Sequence, residues 1–492
     1  MRRKFWIAIV AFALSLSACN AARLDQPAPE TLDDIEAELR QHVEILASDE
    51  FEGRRPGTDG ERKTLRYLAD TWEAAGLISG TNDPAHPWLA PVELAVRAPE
   101  TATMKFRTGS RVRAVPDGQV KLFTSGRRAL LADAPILFVG TQGSELEPSV
   151  LTGKVALMIW DHPARERQRT ALLANGAAAV LAIVLESAEF DQLAGIREKG
   201  TYRLAGSEGG AQIDGFMSEQ AAFAIFGVEQ IRSLFGVVES PAFRPKLLNV
   251  TADMEVASAA GAVRTHNLIA KLPGANPDGE AVLLLAHWDH FGRCGRGQTT
   301  DLICSGAVDN ASGLAVLSGI AKRLAAGPKL DRDVYFVATT AEEWGLLGAI
   351  AFTRDPPIPL DSIVAAFNID TIGVAPRGSP VAIVGAGLTP LDAQIEAIAG
   401  QLGRDVIKDQ FAAGFIQRQD GWILLQRDVP SLMVSSAFAQ PELMGRYTKD
   451  RYHRPTDRVA SVELGGAAED MLLHIALVRH FASLPSQNGP AI

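Results

Sequence analysis

From about residue 260 onward the chain repeats one unit, a short apolar run followed by an amphipathic stretch, and nothing else in the sequence constrains its fold so tightly. The runs are AVLLLAHWD (281–289), VYFVATTAEE (334–343), SIVAAFNID (362–370) and VPSLMVSS (429–436). The stretches include ASGLAVLSGIAKRLAA (311–326), LDAQIEAIAGQLG (391–403) and a closing MLLHIALVRHF (471–481). A strand without a polar face must be covered on both sides, and parallel neighbours need a crossover. The expected fold is therefore α/β, a mostly parallel sheet flanked by helices. Ligands of such sheets bind at the carboxyl ends of the strands.

Just past those runs stand residues of one chemical kind. His287 and Asp289 follow the first, Glu342 and Glu343 the second, and Asp370 closes the third. Asp309 and Asn310 precede a helix in SGAVDNASG, and His453 lies in the late loop RYHRPTD. Singly, each has a simpler use: Asp309 as a helix cap, Asp289 in a turn, His453 on a polar surface. Together at one rim they point to a metal site. Imidazole and carboxylate donors without cysteine suit zinc, with cobalt or manganese as alternatives, whereas calcium takes oxygen alone.

At 492 residues the chain exceeds one core, so two or three domains are expected. TLDDIEAELRQHVEILASDE places Ile35, Leu39, Val43 and Leu46 at helical spacing, and a second helix aligns Leu65, Leu68, Trp72 and Ala75, with Gly76 as its cap. Between about 100 and 258 the texture shifts to short apolar runs between turns, where acids and histidines do not gather. The first residues, MRRKFWIAIVAFALSLSAC, join Arg2, Arg3 and Lys4 to an apolar stretch and then small residues, the build of an export signal over 1–19. The net charge of −10 turns more negative once that leader is removed, and no basic cluster stands out, which argues against nucleic acid as a partner. In an exported chain, Cys294 and Cys304, close together in a Gly-rich loop, are expected to form a disulfide; free thiols or a metal pair are the alternatives.

Three resemblances extend this reading. Leu16-Ser17-Ala18-Cys19 resembles the lipobox of bacterial lipoproteins, which implies lipidation of Cys19 and anchoring in the cell envelope, facing the periplasm or the cell surface. An ordinary signal peptide or an uncleaved anchor is the alternative. LTGKVALMIWD (151–161), a helix through Thr170 to Asn175 and GAAAVLAIV (176–184) resemble the protease-associated domain that many exported peptidases carry. The implied division is a leader at 1–19, a tether and helices of the peptidase domain at 20–100, a β-rich protease-associated insert at 101–258 and a catalytic domain at 259–486.

The third covers the catalytic half. AHWDHFG (286–292), GAVDNASG (306–313), TAEEWGLLG (340–348), NIDTIG (368–373) and YHRPTD (452–457) resemble, in that order, the two-zinc exopeptidases of the M28 type, and LASDEFEGRRPGTDGE (46–61) matches their common opening. The resemblance implies the phosphorylase/hydrolase-like zinc exopeptidase fold and an aminopeptidase acting on peptides. It makes Asp309 the bridge between two zinc ions, His287 and Asp370 the further ligands of one, and Glu343 and His453 those of the other. Glu342 becomes the general base, Asp289 orients the His287 imidazole, and the peptide after Asp309 is cis in many relatives. Where relatives often have Ser-Asp-His beside the pocket, this chain reads Gln419-Asp420-Gly421, which leaves the side-chain preference open. His266, His290, His474 and His480 match no ligand motif and are assigned to structure or surface. The alternatives are a glutaminyl cyclase, a non-catalytic binding protein on this fold, and a carboxypeptidase or dipeptidase. The last would need a cation for the terminal carboxylate, for which Arg418, Arg446 and Arg451 are candidates.

Overall fold

The computed structural model describes residues 30–484 apart from 161–164, 208–210, 239, 241, 277–278, 295–301 and 409, so the leader and the lipidation expected at Cys19 lie outside the described residues. The described chain opens with helix α1 (Leu32–Leu46) and helix α2 (Asp59–Ala74). Thr31 starts α1 with a reciprocal cap, accepting the Asp34 N–H while the Asp34 carboxylate accepts the Thr31 N–H at 2.9 Å. Ile35, Leu39, Val43 and Leu46 on α1 and Leu65, Leu68 and Trp72 on α2 bury one stripe of each helix in the main core. Each such side chain contributes about 1.5–3 kcal/mol by leaving water. Trp72 keeps its polar atom satisfied by donating Nε1–H to Ser318 Oγ at 3.1 Å.

Next come strand β1 (Leu89–Thr108), strand β2 (Arg128–Gly140), helix α3 (Ser187–Glu198) and strand β3 (Lys246–Leu272). The catalytic half adds β4 (Ala281–His287), helix α4 (Gly313–Ala325), β5 (Asp333–Thr339), β6 (Ile363–Asn368), β7 (Ser431–Ser435) and helix α5 (Gly465–Phe481). Among the described residues the main sheet has 16 strands; twelve of them run, from one edge, in the order Val406–Ile407, Val381–Val384, β7, β6, β4, β5, β3, β2, Val155–Ile159, Ala179–Val184, Ile213–Ser218 and Val120–Thr124, and β1 is among the four that pair off this path. β4 lies parallel between β5 and β6, with His287 level with Thr339, and β6 is parallel to β7. The expectation of a mostly parallel, helix-flanked sheet holds, and the carboxyl ends of β4, β5 and β6 share one rim.

β3 joins the two halves. Its last residues, Leu268–Leu272, pair antiparallel with β5, while its earlier course pairs with β1 and β2. Residues 100/101 and 258/259 lie inside β1 and β3, so residues 101–258 join the rest of the chain through a two-stranded ribbon with a register shift at Ala257/Ser258. Within 101–258, β2 and the three strands beyond are mutually parallel, with α3 among the helices that cover them. Among the described residues, no helix is long and apolar enough to cross a membrane.

Candidate metal centre

Four of the expected ligands are delivered by strand ends and the segment before α4. His287 is the last residue of β4, Glu343 sits in the turn Glu342–Trp344 after β5, and Asp370 stands two residues beyond β6. Asp309 lies in Ala307–Ser312, leading into α4, and the Asp309–Asn310 peptide is cis, as the resemblance implies. His453 comes from the loop after the helix Pro441–Asp450. Ala341, Thr371 and His453 all have φ between 51° and 59°, a left-handed conformation that non-glycine residues adopt at a cost of about 1–3 kcal/mol. The surrounding packing therefore holds these turns in shape against their local preference.

Asp309 occupies the centre. Its Oδ1 lies 3.1 Å from His287 Nε2 and its Oδ2 lies 3.4 Å from His453 Nε2. Beyond them, His287 Nε2 is 3.3 Å from Asp370 Oδ1, and His453 Nε2 is 3.0 Å from Glu343 Oε2. The five residues thus form two groups that share one carboxylate. The ring of His287 faces the main-chain oxygen of Asp289 through Nδ1 at 3.1 Å; a proton donated there leaves the Nε2 lone pair aimed at two carboxylates. Lone pair against carboxylate is repulsive unless a proton or a metal ion stands between them. Atoms about 2.0–2.1 Å from a tetrahedral zinc stand roughly 3.3 Å apart along the edges of the tetrahedron, and the spacings here, 3.0–3.4 Å, lie around that value. Glu343 Oε1 and His453 Nε2 are buried without a hydrogen-bond partner. The donor set, its spacing and these unsatisfied atoms fit divalent metal, and His287, Asp309 and Glu343 alone bring ligand atoms within 4.8 Å of one another.

Glu342 faces the pocket, beside Asp309 and Asp370. Burial pushes its carboxyl well above the usual range; His287 opposes that, and Glu343 adds to it. Asp309 is driven the other way, because the imidazoles of His287 and His453 beside it outweigh its burial and hold it well below the ordinary value.

Asp289 departs from its expected role. Its carboxylate stands 3.9 Å from His287 Nδ1 and instead accepts the Glu342 N–H at 3.0 Å. The imidazole faces the Asp289 carbonyl, and the carboxylate holds the turn of Glu342. Burial pushes this carboxyl up to about 8.

Three residues of the site carry roles not read from sequence. His290 is fully buried, with Nδ1 2.5 Å from Glu343 Oε1, so it belongs to the site, although AHWDHFG was its only signal. Asp457, the last residue of YHRPTD, accepts the main-chain N–H groups of Val308 and Asp309 at 3.1 and 3.2 Å and the Tyr447 hydroxyl at 3.2 Å, tying the His453 loop to the bridging aspartate. Arg54, fully buried, donates to the carbonyls of Leu46, Trp288, Ser305 and Gly306 at 2.6–3.0 Å and so fixes the loops around the metal site. His474 is buried away from this rim against Asp470 O and Phe367, and His266 faces Glu61. Cys294 and Cys304 are bonded to each other, with Cα atoms 5.6 Å apart, and pack with Phe291 and with Ile196 of α3.

At Gln419-Asp420-Gly421 a side chain on residue 421 would collide with the Ser431 hydroxyl and with Gln419, which accounts for the glycine. Asp420 accepts a hydrogen bond from Thr339 at the end of β5, and burial pushes its carboxyl up to about 6. The insert also reaches the site. Gln192 on α3 donates Nε2–H to the carbonyls of Tyr452 and His453 at 3.2 and 2.6 Å, and Arg55 lies between the rings of Tyr202, from the insert, and Trp344.

Residues 267–476 match the family model described as Peptidase family M28. Comparison with curated protein sequences finds no match. Among solved structures the chain is similar to an aminopeptidase from Aneurinibacillus sp. strain AM-1, with 16% identity, TM-score 0.60 and coverage of 93% of this chain and 96% of that one. It is similar also to BSAP, a zinc aminopeptidase from Bacillus subtilis, with 16% identity, TM-score 0.53 and coverage of 91% and 95%. A peptidase M28 precursor from Shewanella amazonensis SB2B gives 17% identity, TM-score 0.54 and coverage of 93% and 97%. At these identities the likeness is one of fold, and it spans the insert as well as the catalytic half.

Proposed function

We propose that this chain, whose residues 267–476 match the peptidase family M28 model, is a peptide hydrolase that removes residues from the N-terminus of peptides with the help of two zinc ions. One observation carries the reading: Asp309 turns one oxygen toward His287 and Asp370 and the other toward His453 and Glu343. His287, Asp370 and Asp309 would hold one ion, and His453, Glu343 and Asp309 the other; an imidazole-carboxylate set favours zinc, with cobalt or manganese as substitutes. Divalent ions, when bound, supply Lewis acidity toward a scissile carbonyl and acidify water.

The remaining work falls to the protein. Glu343 faces His290 and His453 and serves as a ligand, so it is withdrawn from proton transfer. Glu342 faces the pocket with its main chain fixed by Asp289, and it takes the proton from the attacking water and returns it to the leaving amine. The two aminopeptidases among the similar structures support removal from the amino end. The leader and Cys19 support export and lipid anchoring in the cell envelope.

The test uses zinc-loaded protein, a panel of aminoacyl anilides, and peptides blocked at either end. Cleavage is expected to fail on N-blocked peptides and to survive C-terminal amidation; the reverse pattern would overturn the aminopeptidase reading. Glu342→Gln is expected to retain metal while kcat falls by about 10²- to 10⁴-fold. Near-normal turnover in that variant would remove Glu342 from the role of base.

A further inference from the structure

The pocket beside Asp309, Glu342 and Asp370 has an apolar part made by Phe415, Met433, Phe438 and Met444, and one cation, Arg418, also lines it. The other two candidate arginines are placed elsewhere. Arg451 donates to Ser461 O at 2.6 Å and lies over the Tyr447 ring, and Arg446 is exposed and outside the pocket wall.

Arg418 is solvent-accessible, and its guanidinium stacks over Phe415 and Tyr452, 5.3 and 5.4 Å from the ring centroids. Tyr452 in turn stacks on the His453 imidazole with centroids 3.5 Å apart, and Gln192 holds the carbonyls of both residues. The cation is thereby set at a fixed distance from the metal-binding groups. Among the described residues no carboxylate lies within ion-pair distance of it. Besides its contact with the Tyr452 side chain, a guanidinium stacked over rings still presents N–H groups at its edge, and such an edge matches a carboxylate in a two-point contact.

We propose that Arg418 is the carboxylate-binding residue of this pocket and that preferred substrates present a carboxylate to it, as the acidic side chain of the N-terminal residue or as the terminal carboxylate of a short peptide. This rests on the peptidase reading above. The methionines and phenylalanines take up the methylene groups that precede the charge, and Arg418 takes the charge.

The experiment compares kcat/KM of zinc-loaded full-length protein for glutamyl and glutaminyl anilides, which share a shape and differ in charge, and for dipeptides with free and amidated C-termini. One of the two carboxylate-to-neutral ratios is expected to be about tenfold or larger, the effect of one charge-assisted hydrogen bond. Arg418→Met brings that ratio to about one, whatever it does to the overall rate, and Arg418→Lys restores part of it. A glutamyl-over-glutaminyl preference assigns the carboxylate to the side chain; a free-over-amide preference assigns it to the peptide end. Leucyl and glutaminyl anilides turned over with neither ratio above one, or a ratio that survives Arg418→Met in a variant of unchanged melting temperature, overturns this inference and leaves the peptidase reading standing. Hydrolysis of no substrate by the loaded protein overturns both.

Discussion

Glu342 and Glu343 are neighbours in the chain, and burial pushes both carboxyls up, yet they end in opposite states. For Glu343 the imidazoles of His453 and His290 outweigh that burial and the repulsion of Asp309, so it lies below the ordinary value, whereas Glu342 stays well above it. The same balance governs the ligand imidazoles. Burial lowers His453, but Glu343 and Asp309 more than reverse this and bring it up to about 9; His287 is raised as well, by Glu342 and Asp370 among others. Raised imidazole values stabilise the metal-free protein at low pH, and that contribution fades as pH climbs from the ordinary histidine value through about 9 for His453. Metal binds the neutral rings, so affinity should strengthen over the same window, with release of about two protons at pH 7. Calorimetric titration of chelated protein with zinc, in two buffers of different ionisation enthalpy, checks this. Release near zero would show that the rings are already neutral. Motif order makes the ligands legible in the sequence, but the division of labour between the two acids depends on imidazoles more than 50 residues away from them in the chain.

Elements were legible where burial is one-sided or complete. The stripes of α1 and α2 and the apolar runs of β4, β5 and β6 identify themselves, because one face or both must leave water. β1 and β3 do not. In β3, SAAGAV interrupts the alternation with small residues, and its 27 residues gain their stability chiefly from pairing with β1, a partner more than 140 positions away at Thr251 and Arg107. Within the insert, Asp214 on the strand Ile213–Ser218 meets Arg169 at 2.7 Å and Arg197 at 2.8 Å. Burial raises its carboxyl, but the two arginines prevail and bring it to about 2. A lowered carboxylate stabilises above the ordinary value near 4 and loses that contribution as pH falls toward 2. Asp214→Ala leaves the partly buried Arg197 without its carboxylate and Arg169 with Glu166 alone, and should cost about 3–5 kcal/mol. Denaturant melts followed by fluorescence at neutral pH measure this, and a loss below about 1 kcal/mol would mean that solvent already screens the arginines.

At the scale of the whole molecule the insert behaves as part of the catalytic wall. α3 sends Gln192 to the carbonyls of Tyr452 and His453, Ile196 packs beside the Cys294–Cys304 bond, and Tyr202 clasps Arg55 against Trp344. Gln192→Leu removes the outer support of a ligand loop that holds a positive φ and should weaken zinc retention by about tenfold or more. Metal content after stepwise dialysis against a chelator reads this out, and retention equal to that of the parent would reduce the contact to packing. The sheet class and the rim at which imidazole and carboxylate side chains gather follow from the sequence, because period, burial and residue type are local properties. Only the tertiary structure decided that Asp289 serves Glu342 through its carboxylate, that His290 and Asp457 belong to the site, that the insert supports His453 and that Arg418, of three candidate arginines, lines the pocket. Each of those depends on distances between segments far apart in the chain, and such distances are set by sheet order and by the β1–β3 ribbon, not by any single stretch of residues.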